Sequence, residues 1–254
     1  MKRLYVLAGL VGLLVVPAVQ AAMQVTLYQD LANYSYGVGG EFNAVPNAAL
    51  LSVNPALAGY SPVFPATSGL NLTAGSPNFQ TFCIETGEEF SPGSTYNVTI
   101  SYDIKYDGGL FPSGSPITIG TAYLYSQFAA GTLFGYDYSD GSGRTASAGD
   151  LQQAIWYLQG EATGLVDGGA DGTAFYNLVF GLYGAGSYSA AANGAFGVVA
   201  LNLTSSDGNN QDQLMVVPNP TDVVPEPSVA SFGLLILLPL GMYKMRTFFR
   251  KQTV

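Results

Sequence analysis

The chain has 254 residues, one cysteine, no histidine and a formal charge of −9. The lack of histidine excludes Ser-His-Asp and Cys-His catalysis and any histidine-ligated metal. A single cysteine excludes an internal disulfide framework, a cysteine-based zinc site and an iron–sulfur cluster. Because 48% of the residues are hydrophobic, the chain can bury a core, so a disordered polyanion is excluded as well.

The charges are distributed unevenly along the chain. Six of the eight basic residues lie in the first three and the last eleven positions. Between residues 22 and 224 only Lys105 and Arg144 remain against sixteen carboxylates, which gives this part a formal charge of −14. Such a body repels nucleic acids and anionic membrane surfaces, so no nucleic-acid partner is predicted.

The N-terminus has the three parts of a secretory signal peptide. Lys2 and Arg3 precede an apolar run over residues 4–16, and small residues follow before Ala21. This pattern predicts removal of residues 1–21 by signal peptidase. The alternative, a membrane anchor, is disfavoured because the run is short for a bilayer span.

The C-terminus also has three parts. The short motif consists of Val224, Pro225, Glu226 and Pro227. A mainly apolar segment within residues 228–245 follows, and the chain ends in a basic tail of Lys244, Arg246, Arg250 and Lys251. On physical grounds this pattern predicts a short membrane anchor, with the basic tail in the cytoplasm and the body outside.

Residues 224–254 closely resemble the PEP-CTERM sorting signal, in which a Pro-Glu-Pro motif, a hydrophobic helix and a basic tail follow in this order. The resemblance implies export in a Gram-negative-type bacterium and processing by an exosortase near the motif. It also implies an association with exopolysaccharide and biofilm, at the cell surface or in the extracellular matrix. A plain tail-anchored protein is the alternative.

Residues 22–223 are predicted to form one extracellular body. Alternating or compact apolar runs predict strands over residues 23–28, 79–84, 96–104, 196–203 and 213–217. Helical spacing predicts helices within residues 117–130, 148–162 and 173–182. Ser147 and Asp150 form a possible capping box for the second helix. This order predicts an α+β fold: an antiparallel β-sandwich or barrel-like body with an inserted helical part, plus an N-terminal signal helix and a C-terminal transmembrane helix.

Two short motifs in the body point to one chemistry. Phe82-Cys83 lies in a predicted strand, and Leu151-Gln152-x-x-Ile155-Trp156 lies in the predicted second helix. Together they resemble the thioester domains of bacterial surface adhesins. The resemblance implies an internal thioester between Cys83 and Gln152, shielded by Phe82, Ile155 and Trp156. The sequence departs from the pattern of these domains at Leu151, where such adhesins often carry Thr. Its sorting signal also differs, because it is not of the sortase type.

The residue types suit that chemistry. A thiolate is a good nucleophile and a good leaving group, and a carboxamide becomes an electrophile only when it is held against the sulfur away from water. An amine of a surface protein or matrix component would then attack, leaving an amide through Gln152. On helix spacing, Trp156 shares the side of Gln152, whereas Gln153 points about 100° away. The alternative is a buried cysteine that packs as a small hydrophobe.

Other functions remain open at this stage. A non-covalent exopolysaccharide-binding or structural matrix protein is the main alternative, with Tyr side chains as sugar-stacking groups. A carboxylate-based glycosidase using Glu85, Glu88 or Glu89 ranks third. The acidic loops do not reproduce a calcium-binding spacing. We therefore expect no metal, no cofactor and no conventional enzyme activity.

Overall fold

The computed structural model describes residues 21–29, 34–36, 39–54, 77–105 and 113–217. The predicted signal peptide, apart from Ala21, and the whole predicted sorting segment lie outside these residues. None of the helices in the described part combines the length and the apolar character needed to cross a bilayer.

The described residues contain twelve short strands and four α-helices. The strands are β1 (Gln24–Gln29), β2 (Ser35–Tyr36), β3 (Gly39–Gly40), β4 (Phe42–Pro46), β5 (Phe79–Thr81), β6 (Thr95–Ser101), β7 (Asp103–Ile104), β8 (Ser115–Pro116), β9 (Val166–Asp167), β10 (Ala170–Asp171), β11 (Val198–Ser205) and β12 (Gly208–Val216). The helices are α1 (Ala48–Val53), α2 (Ile119–Ala129), α3 (Ser142–Gln159) and α4 (Thr173–Tyr183).

Six strands form one antiparallel sheet in the order β12-β11-β6-β1-β4-β5. The sheet curls into a half-barrel, and its two edges approach each other where Cys83 pairs with Gln213 of β12. We call this pairing of residues 82–84 with β12 the seam. The predicted α+β class, with an antiparallel barrel-like sheet and helices, is confirmed at this level.

Each face of the sheet packs on its own core. Along β11, alternate residues point to opposite faces, as the pleat requires. Val198 and Ala200 join the core shared with helices α2, α3 and α4, whereas Val199 and Leu201 join a second core that includes Leu50 of α1. The sheet therefore provides a rigid wall against which the helical layer is held.

Helix α3 begins earlier than the sequence predicts. The expected start at residue 148 with a capping box of Ser147 and Asp150 is wrong, because the helix starts at Ser142 and both side chains accept hydrogen bonds from residues outside the helix. The Ser147 hydroxyl accepts the Asp137 N–H at 3.0 Å, and the Asp150 carboxylate accepts the Asp171 N–H at 2.6 Å. Gly160, in the left-handed conformation, ends the helix.

Candidate functional site

Cys83 lies at the seam and is fully buried. On either side of it, the Ile84 N–H donates to Asp212 and the Leu214 N–H donates to Phe82, at 3.1 and 3.2 Å. Because hydrogen-bonding direction alternates along an antiparallel strand, the main-chain N–H and C=O of Cys83 point away from β12. They therefore need partners from another element.

Gln152 of α3 supplies both partners. Its Oε1 accepts the Cys83 N–H at 3.2 Å, and its Nε2 donates to the Cys83 carbonyl at 2.7 Å. Only 1% of Gln152 is exposed. The structure thus places the carboxamide directly against the cysteine, 69 residues away in sequence.

A glycine pair completes the contact with Gln152. The Gly40 N–H donates to Gln152 Oε1 at 3.0 Å. Gly40 has φ of +112°, a conformation that L side chains rarely adopt. At Gly39, an added Cβ would lie 2.5 Å from Gln152 Cγ and 2.6 Å from the Trp156 ring. Glycine is therefore required at position 40 for its backbone conformation and at position 39 for the lack of space for a side chain.

Two glutamines of β12 surround the thiol. The Cys83 thiol donates to Gln211 Oε1 at 2.9 Å, and Gln213 Nε2 donates to Cys83 Sγ at 3.4 Å. Burial raises the pKa of Cys83 to about 12, and Glu85, once it is ionised at high pH, acts in the same direction. At neutral pH the group is a thiol rather than a thiolate, so any reaction at this sulfur depends on proximity.

The three residues predicted to shield the site occupy two different places. Phe82 and Ile155 are fully buried in the core shared with the helices, where Phe82 meets Phe128 edge to face at 4.9 Å. Trp156 packs over Gly39, and its Nε1 donates to the Glu85 carbonyl at 3.1 Å. Of these three residues, only Trp156 lines the surface cleft described below.

Gln153 faces elsewhere. Its Nε2 donates to the Gly164 carbonyl at 2.8 Å, and it lines the surface cleft. Of the two adjacent glutamines, Gln152 is the one that contacts Cys83.

Glu85 and Asp212 form a buried carboxyl pair behind the site. Asp212 accepts hydrogen bonds from the Lys105 N–H, the Asn202 amide and the Leu203 N–H. Glu85 accepts one, from the Asp212 N–H at 2.7 Å. Burial, together with the Asp212 charge, raises the pKa of Glu85. Because Asp212 has more donors, it holds the negative charge and Glu85 holds the proton.

A buried ion pair fixes the start of α3 next to the glycine pair. Arg144 and Glu41 are 1% and 0% exposed, and the guanidinium contacts both carboxylate oxygens of Glu41. The Tyr136 hydroxyl donates to the same carboxylate at 2.8 Å, and the Tyr34 ring lies 4.2 Å from the guanidinium carbon. Since Glu41 follows Gly40 directly, this pair sets the position of Gly40 relative to the helix that carries Gln152.

A cleft of about 760 Å³ opens beside the site. Gln211 is both a wall of this cleft and the partner of the Cys83 thiol, and Trp156 lines it too. Its other walls include four carboxylates, and no basic side chain of the described residues lines it. The carboxylates are those of Glu88, Glu89, Glu161 and Asp167. The cleft is therefore an acidic approach to the buried thiol.

Two further expectations concern metals and glycosidase carboxylates. Within the described part of the chain, no group of three or more His, Cys, Asp or Glu side chains is arranged to hold a metal ion. Of the three glutamates considered for glycoside hydrolysis, Glu85 is buried at the seam, whereas Glu88 and Glu89 line the cleft.

Gly39, Gly40, Gln211 and Gln213 are not predictable from the motifs that single out Cys83 and Gln152. The only local signals are the Gly-Gly pair itself and the Gln-x-Gln alternation, which places two amides on one face of a strand.

Comparison of the chain with protein-family models, with curated proteins and with solved structures finds no match in any of the three.

Proposed function

We propose that this protein is an exported surface or biofilm-matrix protein whose Cys83 and Gln152 form an internal thioester for covalent attachment to an amine-bearing partner. The observation that carries the proposal is the buried contact in which the Gln152 carboxamide meets the N–H and the C=O of Cys83. Cys83 is fully buried and only 1% of Gln152 is exposed, so this contact between the Gln152 side chain and the Cys83 main chain excludes water.

The surroundings favour acyl transfer by proximity. With its pKa raised to about 12, the Cys83 thiol is almost entirely protonated at neutral pH and is a weak nucleophile on its own. Holding the thiol and the acyl carbon in one dry site replaces a bimolecular encounter by a unimolecular step, which accounts for about 7–11 kcal/mol in well-oriented systems. The reaction takes place once per molecule, so the protein is not a conventional enzyme.

The acidic cleft is the proposed entry for the partner. Its wall residue Gln211 contacts the thiol, so a nucleophile in the cleft is one side chain away from the reacting groups. The four carboxylates that line the cleft attract cations, and the amine of a lysine side chain arrives as a cation. A basic surface protein therefore suits this cleft better than an anionic one.

The proposed location rests on the two ends of the sequence. On this proposal signal peptidase removes residues 1–21, and residues 228–245 hold the chain in the inner membrane with the body outside. An exosortase then processes the chain near Pro225-Glu226-Pro227, and the body passes to the cell surface or the extracellular matrix.

Intact mass spectrometry of the protein tests the thioester. The wild type is expected to be lighter than its sequence by one ammonia, and methylamine should add to Gln152. Cys83→Ala and Gln152→Asn should each show the full sequence mass. Gln153→Asn is the matched control, since the adjacent glutamine does not contact Cys83, and it should keep the ammonia loss. An unmodified wild type with no methylamine addition contradicts the proposal.

Non-covalent exopolysaccharide binding is the second candidate function. The observation that favours it is the composition of the cleft, where Trp156, Phe42 and Phe90 accompany the carboxylates. Aromatic faces beside polar groups suit sugar rings. Retardation of the protein in a gel containing exopolysaccharide, lost in Trp156→Ala but retained in Cys83→Ala, would support this function.

A further inference from the structure

Two main-chain N–H groups converge on one oxygen of the site. Gln152 Oε1 accepts the Gly40 N–H at 3.0 Å and the Cys83 N–H at 3.2 Å. The donors come from β3 and from the seam, and each contact is buried. A carboxamide oxygen has two lone pairs, so both are occupied by donors fixed in the backbone.

This arrangement matters for the reaction. When a nucleophile attacks Gln152 Cδ, negative charge develops on Oε1, and fixed donors aimed at that oxygen stabilise the charge without reorganisation. We propose that the main-chain N–H groups of Gly40 and Cys83 form the oxyanion hole for acyl transfer at Gln152. The inference rests on the proposed thioester and identifies the catalytic groups for forming and opening it.

The nitrogen side of the amide is positioned as well. Gln152 Nε2 donates to the Cys83 carbonyl at 2.7 Å. In thioester formation the Sγ–Cδ bond forms, the Cδ–Nε2 bond breaks, and the thiol proton passes to the departing nitrogen, which leaves as ammonia. In the opening step an amine attacks Cδ, the Cδ–Sγ bond breaks, and one amine proton passes to the sulfur. In both steps the Cys83 carbonyl accepts a hydrogen bond from an N–H group, that of the departing nitrogen in formation and that of the attacking amine in opening.

Glu41 and Arg144 are positioning residues for this oxyanion hole. Their buried ion pair holds the segment after Gly40 against the first turn of α3. They touch neither the acyl carbon nor the sulfur, so their effect passes through the placement of the Gly40 N–H.

Infrared spectroscopy tests the inference without any substitution. The protein is labelled with ¹³C at the glutamine side-chain carbonyl, and the thioester carbonyl band is identified by its loss on methylamine addition. With two fixed donors, the band of the folded protein is expected at a lower wavenumber than that of the same protein unfolded in denaturant. A band at an equal or higher wavenumber in the folded protein, as for a carbonyl in an apolar pocket, overturns the inference.

A backbone substitution gives the second test. Glycolic acid in place of Gly40, introduced by cell-free translation, replaces only the N–H by an oxygen. Methylamine addition to the thioester is expected to slow by about 10²–10³-fold. Glycolic acid at Gly181, an exposed position in α4 with open space around it, is the matched control and should react at the wild-type rate.

The outcomes separate the two claims. A wild type that never loses ammonia contradicts the proposed function itself. A wild type that carries the thioester, together with a Gly40 ester variant that reacts as fast as the control, leaves the function standing and overturns the oxyanion hole.

Discussion

Gly39 lies so close to Gln152 that one methyl group does not fit between them. An added Cβ would stand 2.5 Å from Gln152 Cγ, whereas ordinary carbon contacts begin near 3.4 Å. The same Cβ would meet the Trp156 ring at 2.6 Å. The backbone at Gly39 thus determines how near the helix can come to the seam, and with it the contact between Gln152 and Cys83.

Gly39→Ala is therefore expected to displace Gln152 from Cys83. We expect a loss of about 1–3 kcal/mol in the free energy of unfolding, typical of overpacking, and a marked fall in methylamine addition. Chemical denaturation and intact mass measure the two effects. Gly181→Ala, at an exposed position of helix α4, is the control, and it should stabilise the protein by up to about 1 kcal/mol. Wild-type methylamine addition in Gly39→Ala would contradict this account.

Breaking the buried ion pair should be costly. Arg144→Met leaves the Glu41 carboxylate buried without its cationic partner, and we expect a loss of about 3–5 kcal/mol in the free energy of unfolding. The double variant Arg144→Met with Glu41→Leu removes both charges and should recover much of this loss. Urea denaturation of the two single variants and the double variant measures the coupling. Purely additive losses would show that the two residues act independently.

Because Glu85 is buried, we expect the free energy of unfolding to fall as pH rises. Its pKa is raised in the folded state, so between its usual pKa and the raised one the folded chain binds more protons than the unfolded chain. The stabilising contribution is complete at acidic pH and is lost with increasing pH, by up to about 1.4 kcal/mol per pH unit. Glu85→Gln should flatten this slope between about pH 6 and pH 9.

The control for Glu85→Gln is Glu89→Gln, which removes a carboxylate from the exposed rim of the cleft rather than from the seam. Urea denaturation across the pH series should give this variant the wild-type slope. Identical slopes in all three proteins would show that Glu85 is ionised in the folded state.

The charge of the cleft predicts selectivity among amines. In Glu89→Gln with Asp167→Asn, we expect labelling by the polycation spermidine to fall several-fold and labelling by methoxyamine, which is neutral at pH 7, to stay unchanged. Added salt should weaken spermidine labelling of the wild type in the same way. Asp207→Asn, in the exposed turn between β11 and β12, removes one negative charge away from the cleft and should leave labelling by both amines unchanged. Equal loss with both amines would indicate a structural effect instead.

Local patterns in the sequence predict much of this fold. The strand predicted over residues 96–104 overlaps β6 (Thr95–Ser101), where Tyr96 and Val98 are buried and Asn97 is exposed, as the alternation predicts. Helices α2 and α4 also lie where the apolar spacing predicts them. The start of α3 was beyond local signals, because its first turn is held by Arg144 through Glu41, a contact over 103 residues.

The candidate site, like the fold, is only partly predictable from local sequence patterns. Cys83 and Gln152 can be chosen from short motifs, and helix spacing distinguishes Gln152 from Gln153. The Gly40 N–H reaches Gln152 across 112 residues, and Gln211 reaches Cys83 across 128. Such contacts depend on how the sheet curls and on which residues meet at its edges, and no local pattern of residues encodes that.

Trp156 is the only tryptophan in the chain. Its indole packs over Gly39, donates to the Glu85 carbonyl and lines the acidic cleft. Tryptophan emission from this protein therefore comes from one known position, next to the Cys83–Gln152 contact. The molecule carries a built-in optical probe, so a fluorimeter can follow events in the cleft in real time without any added label.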